Sequence, residues 1–177
     1  MSHNVFFRTG VGIFDVVDLS FDAMSYAPNL RLFDFGQNHA DDVPVIADIE
    51  TLGRLTKLAR LQLYGKISGD GLNRALSTLS ELQHLWFLTP VPSVPTGQGR
   101  GDDKLHPMRP TRHPRSQFAE GLRNISNIAG CPHMRWLWLS DNPQLEDIRP
   151  IQKLTYIRQL LLDNTPIVDL APLAELR

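Results

Sequence analysis

Met134-Arg-Trp-Leu137-Trp-Leu139-Ser-Asp-Asn142 returns 23 residues later as Ile157-Arg-Gln-Leu160-Leu-Leu162-Asp-Asn-Thr165. Both stretches follow one pattern: an apolar residue, two variable positions, L-x-L, two more variable positions, then Asn or Thr. Self-similarity at a fixed period of this size predicts a solenoid, because one unit cannot bury its own apolar residues but stacked neighbours can. Within a strand, alternate side chains point to opposite faces. Leu160 and Leu162 are therefore expected inward and Leu161 outward.

Working outward from these two units, the same spacing marks others. The C-terminal unit starts at Leu154 and continues through Ile157, Leu160, Leu162, Ile167, Leu170, Leu173 and Leu176. The one before it starts at Cys131, with Met134, Leu137, Leu139, Asn142, Leu145, Ile148 and Ile151. Further units start at Leu55, at Leu79 and, more weakly, at Ala27 with Leu30, Phe33, Phe35 and Asn38. Leu72 to Leu79 reads as a helix after the Leu55 strand. The 52 residues from Leu79 to Cys131 hold two repeats, or one repeat plus an insertion. Within them Phe118, Leu122, Ile125 and Ile128 have helical spacing, which suits the convex side. The expected organisation is a degenerate first repeat or cap over 1–26, repeats over 27–88, an insertion over 89–117 and repeats over 118–177. No C-terminal cap is evident, so the last repeat is expected to fray, self-associate or meet another domain.

The L-x-x-L-x-L-x-x-N pattern resembles that of leucine-rich repeat proteins. The unit from Leu154 is similar to the short repeats of internalins and of phosphatase-regulator-type leucine-rich repeat proteins. Asp169 with Pro172-Leu173 matches their D-x-x-P-L turn with one irregularity, and Pro150-Ile151 matches its proline-apolar part. The resemblance implies an α/β solenoid with a parallel concave sheet and helical or 3₁₀ convex returns, whose business is protein recognition. Asn142 and Asn38 keep the Asn that bonds backbone groups in the turn. Thr165 partly replaces it, and Lys66 and Pro90 do not.

The insertion carries six of the chain's thirteen prolines, a Gly-rich stretch and the basic residues Lys104, Arg109, Arg112 and Arg115. That density of Pro and Gly opposes helix and sheet alike. A mobile, solvated loop is the favoured expectation. Competing readings are an integrin-type tripeptide at Arg100-Gly-Asp102, a basic contact to an acidic partner or nucleic acid, and P-x-x-P recognition at Pro92–Pro95 and Pro107–Pro110. No aromatic residue lies among these basic side chains for base stacking.

Composition narrows the class. The formal net charge of −1 gives no global attraction to nucleic acid or anionic lipid. The lone Cys131 excludes an internal disulfide, and with it the disulfide-bearing caps common on secreted leucine-rich repeat proteins, so a reducing, cytoplasmic setting is expected. No signal-like segment and no run of about 18 apolar residues is present, so no membrane association is expected. Cys131-Pro-His133 is half a zinc site at most, and Cys131 sits at an apolar repeat position. Asp41-Asp42 and Asp102-Asp103 lack partners, and Gly65, Gly69 and Gly71 do not form a nucleotide loop. Asn124-Ile-Ser126 is a glycosylation sequon, relevant only to a secreted chain. No enzyme activity and no cofactor are expected.

The positions alternating with the inward leucines collect all three tryptophans. The expected partner-binding residues are Arg60, Gln62, Tyr64, His84, Trp86, Trp136, Trp138 and Leu161. A solvated sheet face ordinarily carries polar residues, so aromatics gathered there point to an interface with another protein. An insertion or N-terminal segment folded over them is the alternative at the level of structure. At the level of function the alternative is a structural spacer within a larger protein.

Overall fold

The computed structural model of the chain describes residues 10–13, 18–20, 27–35, 45–88 and 121–176. The expected mobile insertion, Phe118 and the turn residue Asn38 lie outside them. Six parallel strands form one sheet in the order β1 (Gly10–Ile13), β3 (Leu32–Phe35), β5 (Arg60–Tyr64), β7 (His84–Leu88), β8 (Trp136–Trp138) and β9 (Gln159–Leu161). Register aligns Leu32, Arg60, His84, Trp136 and Gln159 side by side. Each lies five residues after a unit start read from the sequence. β7 pairs directly with β8, so the long gap adds no strand of its own to this sheet.

Alternation builds the core. β5 buries Leu61 and Leu63 completely, β7 buries Leu85 and Phe87, and β8 buries Leu137, with Leu139 just beyond it. Behind the sheet, Leu58, Leu82, Met134 and Leu154 are fully buried as well. The returns are 3₁₀ segments at Ile49–Arg54, Ser126–Gly130, Arg149–Lys153 and Ala171–Glu175.

One return is an α-helix, α1 (Gly69–Leu76). It begins three residues earlier than the sequence suggested, because the Ser68 hydroxyl accepts the Gly71 N–H at 3.2 Å and caps it. It ends at Leu76, where the Ser77 hydroxyl donates to the Arg74 carbonyl at 2.7 Å. The helical spacing of Leu122, Ile125 and Ile128 is answered by the 3₁₀ segment Ser126–Gly130, with all three side chains buried. A second parallel sheet, β2 (Asp18–Ser20), β4 (Val45–Ala47) and β6 (Lys66–Ile67), was not foreseen.

The C-terminal repeat departs from the expectation of buried leucines. Leu160 and Leu162 are only partly buried, and so is Leu161 between them. β9 is the edge strand of the sheet among the described residues, so no other described strand stacks on its far side. Leu170 is 56% exposed and Val168 93%.

Candidate functional site

The sheet face turned away from the core carries the candidate residues in register. One row runs Leu32, Arg60, His84, Trp136, Gln159; the next runs Asp34, Gln62, Trp86, Trp138, Leu161. All eight residues expected at a binding face thus sit on β5, β7, β8 or β9, and Tyr64 aligns with Leu88 at the far end of its strand. Side chains in one row of a parallel sheet are about 4.8 Å apart from strand to strand.

That spacing suits flat rings. Trp86 and Trp138 stack with centroids 4.2 Å apart and planes 13° from parallel. In the adjacent row His84 meets Trp136 at 5.0 Å and a 55° tilt. Trp136 is 52% exposed, while Trp86, Trp138 and His84 are half-buried. The indole Nε1 atoms of Trp86 and Trp138 are buried and lack a hydrogen-bond partner. Most buried donors find an acceptor, so the centre of this face is polar-incomplete.

Charge frames the aromatics. Arg60 Nε lies 3.5 Å from Asp34 Oδ1, and Arg60 also donates to Gln62 Oε1 at 3.3 Å. Burial raises the Asp34 carboxyl above its ordinary value, and the Arg60 guanidinium partly offsets this. Burial likewise raises the Tyr64 hydroxyl. The His84 imidazole is held below its usual value by burial first, then by the cations of Arg60 and Arg135.

Beyond the strand ends the turns are stitched across repeats. The Ser140 hydroxyl donates to Asp163 Oδ2 at 3.3 Å and accepts the Asp163 N–H at 3.2 Å. Asn164 donates to Asp141 at 2.8 Å. Asp141 and Asn164 occupy equivalent positions with φ of 62° and 56°, the left-handed region that Asn and Asp tolerate. The fully buried Asn142 side chain donates to the carbonyls of Leu139 and Ser140 and accepts the Leu122 N–H at 3.0 Å. Thr165 keeps one such bond, from its hydroxyl to the Leu162 carbonyl at 2.7 Å. The cross-repeat links of Ser140 and Asp141 were not read from the sequence, since they depend on the left-handed turn.

Among the described residues, reactive groups are few. Cys131 is buried, donates to the Leu76 carbonyl at 3.3 Å, and has its thiol pushed up to about 12 by burial. Among the described residues, no group of three or more His, Cys, Asp or Glu side chains is placed to hold a metal ion. No helix among them is long and apolar enough to cross a membrane.

Comparison with solved structures places this architecture. An internalin from Listeria monocytogenes superposes with a TM-score of 0.55 over 95% of this chain, at 22% identity. The chain is a leucine-rich repeat solenoid of internalin-like fold. It spans 45% of the length of that internalin. A second neighbour, internalin C2 of the same organism, is 16% identical over 96% of this chain and 77% of its own, with a TM-score of 0.43. No protein-family model matches the sequence, and no curated protein is similar to it. In this leucine-rich repeat frame, the rows described above lie on the concave side.

Proposed function

We propose that this leucine-rich repeat solenoid is a protein-binding module, not an enzyme, and that its aromatic concave face holds the partner. The observation that carries the reading is the stacked Trp86–Trp138 pair at the centre of an outward sheet face. Flanking it are the half-exposed Trp136 and two buried indole N–H groups without acceptors. Rigid aromatic anchors near the middle of a patch, with polar residues around them, are what interface centres are made of. Arg60, Gln62, Tyr64, His84 and Leu161 surround the anchors in the same two rows or at the strand ends. The partner is another protein. Neither nucleic acid nor a membrane suits the face, and the absence of any disulfide option favours a reducing, cytoplasmic setting.

The experiment is affinity capture on immobilised full chain, comparing parent with Trp136→Ala and with Trp86→Ala/Trp138→Ala. Circular dichroism serves as the folding control. A protein held by the parent and lost on the exposed Trp136→Ala change alone is the expected result. Undiminished capture by both folded variants contradicts it.

One observation favours a second reading, a structural spacer. The C-terminal repeat leaves Leu160, Leu162 and Leu173 half-covered and Leu170 exposed, as a surface meant to meet more protein would. Self-association through this end makes sedimentation concentration-dependent, and Leu170→Asp then removes the dependence.

A further inference from the structure

The strand starts carry a feature that the aromatic reading does not use. Arg31, Arg135 and Arg158 each stand one residue before a strand, at the second position of the repeat motif. Backbone bonds hold that border in register: Ala59 N–H to the Arg31 carbonyl at 2.8 Å, Gln83 to Ala59 at 2.8 Å, Arg135 to Gln83 at 2.8 Å, and Arg158 to Arg135 at 2.7 Å. All three arginines are exposed. None of their side chains has an ion pair or hydrogen bond among the described residues. Arg60 joins them from the first strand position. Burial first, and then the charges of both Arg60 and Arg135, lower His84, which agrees with two cations near this edge of the face.

Among the described residues, an acid neutralises this border at Arg60 alone. Asp34 lies 3.5 Å from Arg60, whereas Arg31, Arg135 and Arg158 form no ion pair among the described residues. The carboxylates of Asp141 and Asp163 lie at the opposite ends of the strands. The face therefore carries exposed cations where strands begin and an aromatic centre, with the Asp34 carboxylate held beside Arg60.

We infer that the concave face takes an acidic protein segment, whose carboxylates lie along the border of Arg31, Arg135 and Arg158 while its apolar side chains meet the tryptophans. The inference rests on the recognition reading above and adds the partner's chemistry to it. Charge complementarity at a rim sets encounter rate and partner choice. A nucleic acid fits less well. The faces of Trp86 and Trp138 are turned to each other rather than offered to bases, and a polyanion lying across the sheet meets Asp163 at its far side.

The test is selection of random phage-displayed peptides on the immobilised full chain, with Trp136→Ala and Arg135→Glu/Arg158→Glu as comparators. The altered side chains are exposed, so the variants are expected to fold, and circular dichroism checks this. The expected pool carries two or more Asp or Glu residues beside an aromatic or aliphatic one. Its affinity falls about tenfold or more on the double charge reversal and weakens with added salt. A pool that depends on Trp136 but has no acidic excess, or that is indifferent to the charge reversal, overturns the acidic-partner inference and leaves the recognition reading standing. A pool indifferent to Trp136→Ala, or no enriched peptide at all, overturns both. Tighter binding of a single-stranded oligonucleotide than of the selected peptides assigns the border to nucleic acid and overturns the inference.

Discussion

Leu137 and Trp136 are neighbours in one strand with opposite environments: the first is 1% exposed, the second 52%. Replacing each by alanine separates core from face. Leu137→Ala leaves a cavity between stacked repeats and is expected to cost about 2–5 kcal/mol in denaturant unfolding. Trp136→Ala is expected to change stability by no more than about 0.5 kcal/mol, as surface substitutions usually do. Equal costs contradict the register. His84 gives a second residue-scale expectation. Its folded pKa lies below the ordinary 6.5, so between those values the unfolded chain binds more protons. Stability then falls as pH drops through about 6.5 toward the folded value and levels off below it. Histidine NMR titration is expected to show the depressed value, and Arg135→Gln is expected to raise it by removing one of the cations. No rise on that substitution places Arg135 away from the face.

Elements meet in this fold through backbone contacts that leave no room for a side chain. A Cβ on Gly130 stands 2.7 Å from the Leu76 carbonyl oxygen and 2.8 Å from that of Ser77, where the Ser126–Gly130 return packs on α1. Gly130→Ala is expected to destabilise by about 1–3 kcal/mol, since backbone rather than a flexible side chain must move. Thermal unfolding checks it, and a parent-like midpoint contradicts the packing. At this scale the sequence was legible where periodicity is long. The L-x-L leucines announced each repeat strand of the main sheet from β3 onward, and their alternating partners announced the tryptophan rows. β2, β4 and β6 were not legible, because these short strands lie outside the repeated L-x-L positions that give away β8 and β9. α1 was found but misplaced, as Ser68 capping outweighs the position of the apolar residues. The arginine border was missed because alternation directs attention to positions within strands, whereas Arg31, Arg135 and Arg158 stand just before them.

For the whole molecule, stability comes from nearest-neighbour stacking, so protection against hydrogen exchange is expected to follow coverage. β5 and β7, flanked on both sides and backed by fully buried leucines, are expected to exchange slowest. β9 and residues 167–176, with half-covered leucines, are expected to exchange fastest at low protein concentration. Uniform protection contradicts this gradient. The central claim is that β7 and β8 lie side by side although far apart in the chain, so that the tryptophans of two repeats become one surface. A His84→Cys/Trp136→Cys variant tests it most directly, because paired residues on adjacent parallel strands come within disulfide reach. Mild oxidation is expected to give a monomeric intramolecular cross-link, found as one His84–Trp136-site peptide pair by mass spectrometry. Failure of that link, with ready cross-linking of His84→Cys/Gln159→Cys instead, contradicts the account.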